Sequence, residues 1–188
     1  MKLLNKPSKR SSYNLILILL SVLSLIPLET LAQLDVSHYI PPIFGRENKG
    51  SHYIVLSTPE TTPFVVTIKD GSGNTIATPT ISSAASSSYY LGDGDTTQFL
   101  VTEAELNTVM TNEGLVLTAS NPFYANMRVF ESAQAASLTS KGSQASFGQD
   151  FWVGNMFNNN GYETGKSNSF GIMATTNNTT VNISNISP

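Results

Sequence analysis

Cysteine is absent from the 188 residues, histidine occurs twice, and charged residues make up only 12% of the chain. Without a thiol there is no disulfide staple, no thiolate zinc site, no iron–sulfur cluster and no cysteine nucleophile. His38 and His52 alone supply imidazole, too little for a histidine-rich metal or catalytic site. The charged fraction is half the ~25% of an average soluble domain. Ten Lys and Arg against thirteen Asp and Glu give a net charge of −3 and no basic face for nucleic acid. Ser, Thr, Asn and Gly fill the positions that charge leaves.

The N-terminus is different in kind. Lys2, Lys6, Lys9 and Arg10 precede an apolar run over residues 15–28 that only Ser21 and Ser24 interrupt. Small residues Thr30 and Ala32 then stand three and one places before a cut after Ala32. A cationic head, a short apolar run and a small-residue exit are the three parts of a secretory signal peptide. The run is short of the ~20 apolar residues of a membrane span, so the expectation is cleavage rather than anchoring, with no membrane insertion afterwards. The chain from Gln33 then holds six cations against twelve acids, a net of −6 over 156 residues. An acidic, cysteine-free secreted chain suits a bacterial surface protein, since small eukaryotic secreted modules are commonly disulfide-stapled.

The mature chain reads as strands. Residues 52–58 and 64–69 are β-rich, and Asp70-Gly-Ser-Gly-Asn74 links the second to residues 75–81, a hairpin signal. Residues 86–91, 98–102, 115–119 and 123–130 extend the series, spaced by Gly, Asn and Pro. This spacing resembles that of a β-sandwich of immunoglobulin-like or jelly-roll type. One short helix is expected from Thr102-Glu-Ala-Glu105, a capping-box spacing, with Leu106 and Met110 on one face and Gly114 as its stop.

An internal repeat divides the chain. Tyr53-Ile-Val-Leu-Ser-Thr-Pro-Glu-Thr-Thr-Pro-Phe-Val-Val-Thr-Ile68 recurs as Phe170-Gly-Ile-Met-Ala-Thr-Thr-Asn-Asn-Thr-Thr-Val-Asn-Ile183, and Phe44-Gly-Arg46 as Phe147-Gly-Gln149. The expected layout is a leader over 1–32, a β domain over 33–141 and an incomplete, related β unit over 142–188.

Little in this chain looks catalytic. Gly161-Tyr-Glu-Thr-Gly-Lys-Ser167 is one residue short of a P-loop and precedes no helical pattern, so it reads as a turn. Asp93 and Asp95, with Asp70 and Asn74 elsewhere, are weak calcium candidates, because a calcium site needs six to eight oxygens and no known loop spacing is present. His52 opens a strand and reads as half-buried; no nucleophile-elbow or zincin motif surrounds either histidine. Phe151-Trp152-Val153 reads first as core at a strand start. Trp152, Phe151 and Tyr162, with Phe157, are the alternative: an aromatic platform for a sugar or protein. Asn177, Asn178, Asn182 and Asn185 each begin an Asn-x-Ser/Thr triplet, a composition fit for turns. No cofactor is expected.

Gly148-Gln-Asp-Phe-Trp-Val-Gly154, followed by Ser169-Phe-Gly-Ile-Met-Ala-Thr-Thr-Asn-Asn-Thr-Thr-Val-Asn-Ile183, resembles the bacterial form of the IgGFc-binding-protein N-terminal domain. Asn121-Pro-Phe-Tyr-Ala-Asn-Met-Arg-Val129 through Gly142 is similar to the unit that precedes such domains in large secreted, gliding-motility-associated surface proteins with type IX sorting domains. The resemblance implies a non-catalytic β module at the bacterial surface, acting in adhesion toward an unidentified surface protein or glycan. The alternative is an accessory or spacer module of a large secreted enzyme, or a carbohydrate-binding module.

Overall fold

The computed structural model describes residues 33–44, 50–94, 97–131, 134–154 and 170–184, all within one compact unit, Leu31–Pro188. The leader over 1–32 therefore lies outside the described residues. Strand accounts for 47% of the described residues, with almost no helix among them, and the fold is all-β. In chain order the elements are β1 (Asp35–Ile40), β2 (Ile43–Phe44), β3 (Ser51–Ser57), β4 (Phe64–Asp70), β5 (Thr75–Ala77), β6 (Thr80–Ile81), β7 (Ser87–Asp93), β8 (Leu100–Val101), β9 (Leu115–Glu131), β10 (Gln134–Thr139) and a single helical turn, α1 (Ser143–Ser146).

Eight of the strands form one curled antiparallel sheet whose hub is β9. Its first half, from Leu115 to Ala119, pairs with β4, and residues 115–118 also pair with β1. Its second half, from Tyr124 to Phe130, pairs with β3 on one side and β10 on the other. The changeover lies at Asn121-Pro122, where proline offers no N–H to a ladder. There β1 jumps from Phe123 to Thr118 while advancing only from Asp35 to Ser37, a bulge of several β9 residues.

One set of side chains fills the concave side. Alternation puts His52, Ile54 and Leu56 of β3, Phe64, Val66 and Ile68 of β4, and Leu115, Leu117, Phe123, Ala125 and Met127 of β9 inside. The apolar members share a single cluster with Ile40, Ile81, Phe99 and Leu100. Residues 97–101 close it at one end, with β8 paired in parallel to β2.

The changeover needs its buried carbonyls satisfied. The Thr58 hydroxyl donates to the Pro122 carbonyl at 2.8 Å. His38, fully buried, takes the Phe123 carbonyl on Nε2 at 2.8 Å and the Ser140 hydroxyl on Nδ1 at 2.8 Å. A carbonyl only accepts, so Nε2 carries the proton and Ser140 donates to Nδ1. Beside it, the Ser37 hydroxyl donates to Ser143, which donates to Asp35 at 2.9 Å, tying α1 onto β1. Gly142 is required at this join: its φ is +78°, and a Cβ there would sit 2.5 Å from that of Asp35. Packing of the unit thus continues beyond Lys141.

Three expectations change. The capping-box residues do engage, the Thr102 N–H donating to Glu105 at 2.7 Å, but only a 3₁₀ turn over Glu103–Glu105 follows. Asn107 at φ +60° ends helical geometry before a second turn forms. Phe151-Trp152-Val153 is not core: Trp152 is 97% exposed and Phe151 61%, because residues 151–154 form no strand to turn them inward. Residues 170–184 likewise carry no strand in the structure.

Burial holds the His38 imidazole below its ordinary value of 6.5, with the Phe123 carbonyl and Asp35 pulling the other way; burial does the same to His52, opposed by Asp93. The unfolded chain therefore gains these protons first, so stability rises with pH where unfolded imidazoles are charged and folded ones are not. Urea unfolding should give a level free energy above pH 7 and a decline as pH falls below about 6.5. His38→Gln should flatten that decline. It should also cost about 1–3 kcal/mol at pH 7.5 by disturbing the hydrogen bonds to Phe123 and Ser140; an unchanged slope would refute the assignment.

Candidate functional site

The convex face of β7, β3, β9 and β10 carries the side chains that the core does not use. Where one face of a sheet is solvated, its residues are ordinarily polar; here aromatic rings interrupt that pattern. In β9, Phe123, Ala125, Met127 and Val129 turn inward, leaving Tyr124, Asn126, Arg128 and Phe130 outside. In β3 the outward set is Ser51, Tyr53, Val55 and Ser57. Register aligns them in rows: Tyr90, Tyr53, Arg128 and Ser137 in one, and Ser88, Val55, Asn126 and Thr139 in the next.

A bulge adds a further group to this face. Between His52 and Tyr53 the β3–β7 register shifts, so that Tyr53 faces Tyr90, His52 faces Gly92 and Leu91 has no opposite. An extra residue re-aims the side chains that follow it, so Asp93, three places after Tyr90, emerges on the same side. Gly92 makes this local geometry accessible, with φ +133° and room for the Thr97 methyl 3.0 Å from where a Cβ would stand. Thr97 in turn hydrogen-bonds the fully buried His52 at Nδ1, 2.7 Å away.

The resulting groove is a shallow depression of about 360 Å³ lined by Ser51, Tyr53, Val55, Ser88, Arg128 and Phe130. Tyr53 stands between two other rings, its centroid 5.3 Å from that of Tyr90 and 5.8 Å from that of Phe130. Tyr90 is 46% exposed and Phe130 42%. At one corner the Asp93 carboxylate accepts from the Tyr90 and Ser51 hydroxyls; these bonds hold Asp93 below the usual carboxylate value and raise the Tyr90 phenol.

At the other side Arg128 is positioned by a polar chain. Its Nε donates to Asn126 Oδ1 at 3.2 Å, which also accepts from Ser137 at 3.1 Å, while the Asn126 amide donates to Thr139 at 2.8 Å. Each outer-face group thus rests on strand backbone and, for Arg128 and Asp93, on hydrogen-bonded neighbours. The arrangement can bind and orient a ligand. Neither histidine reaches it: His38 has both ring nitrogens engaged beneath the sheet, and His52 is fully buried under Thr97 rather than half-buried.

Of the residues singled out from the sequence, Asp93 alone among those described reaches this face. Its proposed calcium partner Asp95 lies outside the described residues, as do Tyr162, Phe157 and the 161–167 turn. Asp70 and Asn74 are distant from it along the β4–β5 turn, where Asp70 accepts from the Asn74 backbone at 2.8 Å and side chain at 3.1 Å. Among the described residues no three His, Cys, Asp or Glu side chains are grouped to hold a metal. Tyr53, Tyr90, Arg128 and Phe130 carry no local motif; a period-2 count through residues 123–130 puts Arg128 and Phe130 on the wet side with Tyr124, and only register adds Tyr53 and Tyr90. Comparison with protein-family models, with curated proteins and with solved structures finds no match for the chain.

The Asp93 corner is testable alone. Tyr90→Phe removes a donor to the ionised carboxylate, so the Asp93 pKa should move up toward its ordinary 3.8. Carboxyl NMR titration reads this directly, and an unmoved Asp93 would break the proposed bulge geometry.

Proposed function

We propose that the chain is a non-catalytic β module of a secreted bacterial surface protein, engaging its partner through the outer aromatic face. The observation that carries this reading is the Tyr53, Tyr90 and Phe130 cluster beside Arg128, presented on paired strands. Aromatic residues and arginine are the side chains enriched in binding hot spots, because they bury much surface for few rotatable bonds. Leaving such rings in water gains nothing for the fold.

The compartment in this reading comes from the cationic and apolar leader over residues 1–32, and the surface role from the resemblance to IgGFc-binding-protein N-terminal domains. Low charge, absent cysteine and a net of −6 after Gln33 are in keeping with both. Among the described residues no helix is long and apolar enough to cross a membrane.

Two measurements test it. N-terminal sequencing of the protein recovered from the producing cell's surface should begin at Gln33; an intact Met1 on protein retained inside the cell would refute the secretion reading. Beads coated with the purified protein should adhere to bacterial or host cell surfaces. The Tyr53→Ala/Phe130→Ala variant should lose adhesion about tenfold or more, the scale expected of two aromatic anchors. Undiminished adhesion by a folded double variant would rule this face out.

A further inference from the structure

We propose that the groove takes a carboxylate-bearing sugar, such as a uronate unit of an anionic polysaccharide; this rests on the outer face being the interacting surface. Three features of the groove point to that chemistry together.

The first is the state of Arg128. Its Nε donates to Asn126 Oδ1, and Asn126 is itself held by Ser137 and Thr139, which leaves the two terminal nitrogens for a ligand. No salt bridge joins it to a carboxylate among the described residues, and the charges acting on Asp93 come from elsewhere. A planar fork oriented at Nε, with its terminal edge open, matches a carboxylate in two parallel hydrogen bonds. Pre-positioning also removes the entropy cost of fixing a long side chain on binding.

The second is the floor. Tyr53 lies between Arg128 and Tyr90 in one row, with Val55 and Phe130 flanking it. A pyranose presents an apolar C–H face that packs against such rings, while its rim stays polar.

The third is the opposite corner. Ser51 on β3 and Ser88 on β7 line the groove there. A hydroxyl is both donor and acceptor, so this corner suits the hydroxyl rim of a sugar. A simple anion or an acidic peptide would use Arg128 but leave the apolar floor and the hydroxyl corner idle. The net negative charge of the chain does not prevent this, since at physiological salt fields fade beyond about 8 Å and Arg128 acts at contact.

Calorimetric titration of the purified protein separates the outcomes. The probes are galacturonate oligomers, glucose oligomers of equal length, and oligoglutamate. The parent should bind the galacturonate oligomer at least tenfold tighter than either control. Arg128→Met should erase that preference, whereas Lys69→Met, an equal change of charge on β4, should preserve it. Tyr53→Ala should weaken both sugars. Equal binding of glucose oligomers, equal binding of oligoglutamate, no galacturonate binding, or an Arg128→Met variant as tight as the parent would each overturn the proposal. Adhesion that depends on Tyr53 and Phe130 yet resists competition by galacturonate oligomers would sink the acidic-sugar assignment alone. Adhesion indifferent to both aromatics would sink the surface reading beneath it.

Discussion

The fold turns on one strand that has to serve two sets of partners. β9 runs for 17 residues, and a ladder of that length cannot keep the same neighbours while the sheet curls. Pro122 marks the break because it has no N–H to leave unpaired. Its cost is a pair of buried carbonyls, and these are met by Thr58 from the end of β3 and His38 from β1. Both halves of the curl are therefore pinned at one point. Ser140, which donates to His38 and accepts from the Gly142 N–H at 3.3 Å, brings the chain leaving β10 to the same place.

That junction engages both ring nitrogens of His38, while His52 meets Thr97 on Nδ1 elsewhere under the sheet; burial lowers the pKa of both imidazoles. His52 keeps Thr97 against Gly92, so the inner hydrogen bond and the outer bulge are two sides of one arrangement. Moving Gly92 would disturb Thr97 beneath and Asp93 above. The outer groove thus inherits its geometry from contacts that no ligand touches.

Much of this was legible in the residues, and the failures have physical causes. β3, β4, the Asp70–Asn74 turn and β7 follow the alternation and turn chemistry that announce them. β9 reads as two strands because Asn121-Pro122 looks like a turn; only tertiary partners show that the chain runs straight through. β1 escapes notice because two of its inward positions are Asp35 and His38, inverting the apolar pattern that marks a buried face. β10, with its Ala and Ser, has weak strand preference and is held by pairing with β9. Trp152 draws attention by its size, yet the rings that share one groove are less conspicuous tyrosines and a phenylalanine on three separate strands. A long-range register, not a local motif, assembles them.

Register also separates binding from folding on this sheet. Along β3 and β9 every second side chain enters the core, and those between point to water without touching it. Selection for stability acts strongly on Ile54, Leu56, Ala125 and Met127, where a lost methyl group costs free energy directly. It acts weakly on Tyr53, Arg128 and Phe130, whose replacement by polar residues would leave the core intact and make the surface more soluble. Core packing therefore does not need two outer-face aromatics flanking an arginine that Asn126 positions. The contact proposed above would use them, with the guanidinium edge set beside an apolar floor.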